Sequence, residues 1–157
     1  MSELKETIRE DMKTAMKAKD KERLGAIRML LAAIQAEETT GAKHEVTDEE
    51  IIKVVAREIK KRRESAEIYT ANGREDLAAT ELAEVAVLET YQPSQLDDAG
   101  VDKLVEDAVA AVAAEQGVAP AEIGMKQMGQ VMKEANARAG GSVDGKRLSA
   151  AVKQRLG

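Results

Sequence analysis

The chain has 157 residues, 43% hydrophobic and 34% charged, with a formal net charge of −5. It contains no cysteine, which excludes disulfides, thiolate catalysis and thiolate metal sites. The acidic balance argues against a general nucleic-acid binder, because neutralising phosphates takes a basic footprint.

There is no Phe or Trp, and the only tyrosines are Tyr69 and Tyr91. Ala, Leu, Ile, Val and Met must fill the core, a set suited to close helix-on-helix packing. Two prolines and many charged residues favour long helices over sheets. The start, Met1-Ser2-Glu3-Leu4-Lys5-Glu6, lacks the apolar core of a signal peptide. No stretch approaches the roughly 20 apolar residues that span a bilayer. These features predict a soluble cytoplasmic protein with no membrane contact.

Leu4, Ile8, Met12 and Met16 recur every four residues and predict an amphipathic first helix. A charged break follows at Lys19-Asp20-Lys21-Glu22. Leu24, Ile27, Leu31 and Ile34 mark a second helix, its stripe widened by Leu30. Gly41 to Val46 is a loop holding His44, the only histidine. Thr47 and Glu50 have the spacing of a capping box. The third helix starts there, with Ile51, Val55, Ile59, Arg62 and Ala66 along one side. Asn72-Gly73 stops it, since both residues tolerate a left-handed backbone. Ala78, Leu82, Val85 and Leu88 supply the stripe of a fourth helix, which must end near Tyr91-Gln92 because Pro93 disfavours helical geometry before it.

Pro93-Ser94-Gln95-Leu96 is the candidate domain boundary, dividing residues 1–92 from 93–157. Beyond it, Asp97 or Asp98 caps a fifth helix carrying Val101, Leu104, Val105, Ala108 and Val112, stopped by Gly117. Pro120 can open a sixth helix with Ile123, Met128, Val131 and Met132. A glycine break, Gly140 to Gly145, precedes a seventh helix with Leu148, Val152 and Leu156. Asp144 is its cap, and Val143 with Leu148 has the spacing of a hydrophobic staple. The expected fold is all-α: an N-terminal domain of about four helices and a small C-terminal three-helix domain.

Charge is unevenly spread. Residues 93–123 carry seven carboxylates against Lys103 alone. Residues 124–157 carry Lys126, Lys133, Arg138, Lys146, Arg147, Lys153 and Arg155 against Glu134 and Asp144, a local charge of +5.

Several stretches, in this order, resemble the GatB/YqeY family. They are Asp11-Met12-Lys13-x-Ala15-Met16-Lys17 with Lys19-Asp20, Leu24-x-x-x-Arg28-Met29-Leu30, and Ile59-Lys60 with Arg62, Glu64 and Ser65. Arg74-x-Asp76-Leu77-Ala78 follows, with Glu81 and Glu84, then Tyr91-x-Pro93 with Gln95-Leu96. The last are Gly129-x-Val131-Met132-Lys133, Gly141 with Asp144-Gly145-Lys146, and Val152-Lys153. The resemblance covers nearly the whole chain and implies an all-α protein of two parts. Its C-terminal half is similar to the tail domain of the B subunit of the tRNA-dependent Asp/Glu amidotransferase, and such domains are taken to contact the body of tRNA. Two departures stand out: Tyr91-Gln92-Pro93 where the family often has Tyr-Leu-Pro, and Gly141-Ser142-Val143-Asp144-Gly145 where it often has Gly-Arg-Ala-Asp-Gly. The second removes a candidate phosphate ligand.

No catalytic constellation stands out. His44 has no cysteine to activate, and no phosphate loop or dinucleotide fingerprint is present. Amide transfer would need a glutaminase nucleophile and a carboxyl-activating site, and the sequence offers neither, nor any cofactor or metal site. Glu81 and Glu84 read as ion-pair partners for Lys60, Arg62 or Arg63 on the preceding helix. The basic run Arg57 to Arg63 reads as a solvated face interleaved with Glu58, Glu64 and Glu67, or else as a ladder of phosphate contacts. The tail leaves two alternatives open. Lys126, Lys133, Lys146, Arg147 and Lys153 contact phosphates beside the glycine break, with Lys146 and Arg147 foremost; or Asp144 caps the helix and the glycines turn the chain. Without Phe or Trp, any RNA would be read by shape and backbone.

The resulting expectation is a non-catalytic module that binds the tRNA body. Its partners would be tRNA and an amidotransferase or aminoacyl-tRNA synthetase, with amidation related by kinship alone. The alternative is a protein–protein adaptor docking through Ala-rich helices or Met125, Met128 and Met132.

Overall fold

A computed structural model describes residues 2–157. It is built from α-helices, with no strand among the described residues. They are α1 (Glu3–Lys17), α2 (Lys21–Thr39), α3 (Asp48–Ala71), α4 (Glu75–Glu89), α5 (Asp98–Gln116), α6 (Met128–Ala139) and α7 (Gly145–Leu156). Two 3-10 turns, Pro120–Glu122 and Met125–Gln127, lie between α5 and α6. The chain divides into two compact units, Met1–Gln92 and Pro93–Gly157.

In the first unit the N-termini of α1, α2 and α3 are closed by side chains, while that of α4 has no side-chain cap. Ser2 caps α1, Asp20 caps α2, and Thr47 with Glu50 forms a capping box on α3. The turn from α1 to α2 is a Schellman motif: the N–H groups of Lys19 and Asp20 donate to the carbonyls of Met16 and Ala15. Its left-handed position, normally a glycine's, is held by Lys19 at φ 57°. Gly73 takes the same conformation, φ 74°, between α3 and α4.

The core of this unit is Ile8, Ile27, Leu30, Ile34, Ile51, Val54, Val55, Ile59, Val85, Leu88 and Tyr91. Each large aliphatic side chain fully buried there contributes about 1.5–3 kcal/mol. The buried line of α2 runs through Ala26, Ile27, Leu30 and Ile34. Leu24 and Leu31, expected at its centre, are only half-buried beside the core. The reason is that α2 packs against α1, α3 and α4 together, so its apolar face is broad and periodicity alone does not find its middle.

Arg62 lies on the buried side of α3, only 4% exposed. Its Nε donates to Glu84 at 2.8 Å and its Nη1 to Glu58 at 3.2 Å, while Nη2 rests 3.7 Å from the Met29 sulfur. Burial works to lower its pKa, and the bonds to Glu84 and Glu58 overcome that and raise it. Arg63 pairs with Glu89 and Arg57 with Glu37. The arginines of the basic run on α3 are therefore internal ion-pair partners. At the end of α4 the Tyr91 hydroxyl donates to Asp11 at 2.7 Å, tying the chain back to α1.

The second unit packs α5, α6 and α7 around Val101, Val105, Ala108, Val109, Val112, Val131, Ala135, Leu148 and Val152. Asp97 caps α5, and Gly117 ends it in the left-handed region. Val143 and Leu148 are both buried, as the staple spacing predicts. One element departs from expectation. Pro120 opens a 3-10 turn rather than the sixth helix, which begins only at Met128. Gly124 is extended at φ −130°, ψ −167° and breaks the path, while Ile123 turns inward to the core.

Candidate nucleic-acid interface

The basic tail forms the last two helices of the second unit. Lys126 sits in the second 3-10 turn, Lys133 on α6, and Lys146, Arg147 and Lys153 on α7. The four lysines are exposed. Their side chains make no ion pair among the described residues. The arginines differ. Arg138 pairs with Glu134 at 2.9 Å, Arg147 with Asp98 at 2.7 Å, and Arg155 with Glu106. Tail cations thus fall into two chemical sets: arginines held by carboxylates, and lysines facing solvent. Two of those carboxylates, on α5, belong to the acidic stretch. That stretch neutralises arginines of α7 while leaving the lysines alone.

Arg147 is further committed. Its Nη1 donates to the Leu96 carbonyl at 2.6 Å, and the Leu96 N–H donates to the Ser142 carbonyl at 3.0 Å. Gln95 Nε2 donates to the Gly141 carbonyl at 3.1 Å. The glycine break is therefore fastened to the first residues of its own unit. Asp144 accepts from the Arg147 N–H at 2.8 Å and caps α7. Gly140 and Gly141 hold φ 55° and 90°, conformations that side chains rarely adopt.

Lys146 and Lys153 are seven residues apart on α7. That spacing places them on one face, about 10.5 Å apart along the axis. Arg147 is turned about 100° from that face, toward Asp98. The structure therefore joins Lys146 with Lys153 and separates both from Arg147. The partners that draw Arg147 away lie 49 and 51 positions up the chain, so nothing in the local sequence signals its role. Of the three methionines considered as a docking face, Met128 and Met132 pack against the core and Met125 is exposed.

Elsewhere, His44 places both ring nitrogens against acceptors: Nδ1 lies 2.9 Å from the Ala42 carbonyl and Nε2 lies 2.8 Å from Glu50. These bonds, the Ala42 carbonyl first and Glu50 second, raise the His44 pKa. The bond from His44 likewise lowers the Glu50 pKa. Among the described residues, no group of three or more His, Cys, Asp or Glu is placed to hold a metal ion.

The fold and this surface define an all-α protein of two helical units, the second bearing unpaired lysines. A family model described as Yqey-like protein matches residues 5–156, and the chain belongs to that family. It is similar to fungal proteins named "Altered inheritance of mitochondria protein 41, mitochondrial". The Meyerozyma guilliermondii protein is 29% identical over 132 residues, covering 83% of this chain and 69% of that protein. The Kluyveromyces lactis protein is 34% identical over 85 residues, covering 54% of this chain and 46% of the relative. The Saccharomyces cerevisiae protein is 33% identical over 122 residues, covering 74% and 65%. The chain thus spans less than two thirds of the last two relatives.

These names correct the expectation of a cytoplasmic protein, because they point to mitochondria instead. Composition could not separate the two. A helix-forming, cysteine-free composition is compatible with either compartment.

Proposed function

We propose that this chain is a non-catalytic module that binds the body of tRNA and serves tRNA-linked amidation or aminoacylation. The observation that supports it is the sorting of tail cations, with Lys126, Lys133, Lys146 and Lys153 exposed and unpaired while neighbouring arginines are neutralised. Lysines of this kind contact phosphates as point charges and carry no sequence information. The resemblance of residues 93–157 to a tRNA-contacting tail domain supports the same reading. Arg147 is assigned to holding the unit together rather than to RNA.

The contact is electrostatic, with a dissociation constant on the order of 1–100 μM at physiological salt. Filter binding of folded tRNA tests it. The wild type retains tRNA at low salt, and the variant with Lys126, Lys133, Lys146 and Lys153 all changed to Glu does not. Equal retention by both proteins contradicts the reading. A pull-down with and without RNase tests the link to an amidating or aminoacylating enzyme, whose recovery should depend on intact RNA.

A further inference from the structure

The first unit carries a basic surface of its own. Residues 13–28 hold Lys13, Lys17, Lys19, Lys21, Arg23 and Arg28 against Asp20 and Glu22, six cations to two carboxylates and a local charge of +4. Lys13 pairs with Glu10, and Arg23 lies beside Tyr91. Lys17, Lys19, Lys21 and Arg28 are exposed, with no side-chain ion pair among the described residues. Asp20 is occupied as the cap of α2.

Three of these cations fall within the five residues of the α1–α2 turn. The fourth continues the outer face of α2, where Lys21, Gly25, Arg28 and Ala32 recur at helical spacing and all are exposed. On this face the residue between Lys21 and Arg28 is Gly25, and a Cβ built on it would meet nothing within 4 Å. A stiff, rod-like polyanion can therefore lie close along α2. Lys19 adds a second observation. It is the only described non-glycine residue with positive φ, at the position of the Schellman turn where glycine fits best. Turn geometry alone does not account for a lysine there.

We propose that Lys17, Lys19, Lys21 and Arg28 form a second phosphate-contacting surface, in the first unit, for the backbone of a folded RNA. This rests on the reading of the chain as an RNA-binding module and extends it beyond the tail. A nucleic-acid backbone fits better than a lipid surface, because the chain has no Phe or Trp to enter a membrane interface and the α2 stripe interleaves cations with Gly and Ala.

Two full-length variants test the surface with folded tRNA and with a mixed-sequence RNA duplex of about 20 base pairs. The first changes Lys17, Lys21 and Arg28 together to Gln. It should lower the slope of log affinity against log salt by about 2–3 and weaken binding at least about tenfold near physiological salt. The second is Lys19→Gly, which removes one cation and relaxes the turn. It should lower the slope by about one while leaving the melting temperature unchanged or higher. Wild-type slope and affinity in the triple variant overturn the proposal.

A tail variant with Lys126, Lys133, Lys146 and Lys153 changed to Gln separates the two surfaces. Loss of binding in that variant alone leaves the tail reading standing and refutes this one. Loss in the α1–α2 variant alone does the reverse. A wild type that retains neither RNA refutes both, as does binding of phosphatidylglycerol vesicles, and not RNA, through these same cations.

Discussion

Arg62 offers a sharp test of what holds the first unit together. Changing it to Met keeps most of the buried stem but removes the guanidinium that faces both Glu58 and Glu84. Removing one partner from a buried ion pair costs about 3–5 kcal/mol, because the remaining charge is left desolvated. The Glu58 and Glu84 side chains are 14% and 20% exposed, so they keep some hydration. That places Arg62→Met lower, at about 2–4 kcal/mol. In a unit of this size each kcal/mol moves the melting temperature by about 4–8 °C, so the fall should be roughly 8–32 °C. The triple variant Arg62→Met, Glu58→Gln, Glu84→Gln has no orphaned charge and should regain at least half of the loss. Urea and thermal unfolding followed by circular dichroism measure both variants. A loss below about 0.5 kcal/mol in the single variant, or a triple variant no more stable than the single one, would refute the view of Arg62 as a buried charge held by its two carboxylates.

Other outcomes follow from the same geometry. His44 has a raised pKa, so the stability it lends is complete below about pH 6.5 and is lost as pH rises through the folded value above that. Glu50 has a lowered pKa, so its contribution is present above its ordinary value and lost as pH falls through the lower folded one. Glu37 adds to the negative potential at His44. His44→Gln should therefore flatten the pH dependence of amide exchange in residues 42–50 above about pH 6.5, and an unchanged profile would refute the pairing. Leu148→Ala removes a fully buried side chain from the second core and should cost about 2–5 kcal/mol by urea unfolding; a cost below about 1 kcal/mol would place Leu148 outside the core. If the two units are separate domains, limited proteolysis should cut first around residues 92–98 and leave a helical C-terminal fragment. A fragment that is mostly coil by circular dichroism would rule that out.

The helices were legible because their signals are local. Thr47 and Glu50 lie three residues apart, Asp144 stands three before the N–H it caps, and Gly117 ends α5 with the backbone freedom its position demands. Even Arg62 was readable as inward-facing, since it falls in register with Ile59 and Ala66. Signals that depend on a neighbouring helix were not legible. The buried middle of α2 is set by three packing partners, and the start of α6 by Gly124 and the inward turn of Ile123. The candidate interface was half legible. Local charge counts locate the basic tail but cannot tell which cations are already neutralised. The separation of Arg147 from Lys146 depends on Asp98 and Leu96, brought near only by the fold. The basic α1–α2 turn read as a mere charged break because its two carboxylates mask the cations around them.

Salt dependence of tRNA binding tests the central claim most directly. Each phosphate contact contributes about 0.7–0.9 to the slope of log affinity against log salt, the values for single strands and for a B-form duplex. Charge reversal at Lys126, Lys133, Lys146 and Lys153 should therefore reduce that slope by about three to four and abolish retention near physiological salt, with the melting temperature unchanged. A variant that keeps the wild-type slope and affinity would contradict the assignment of these lysines to RNA.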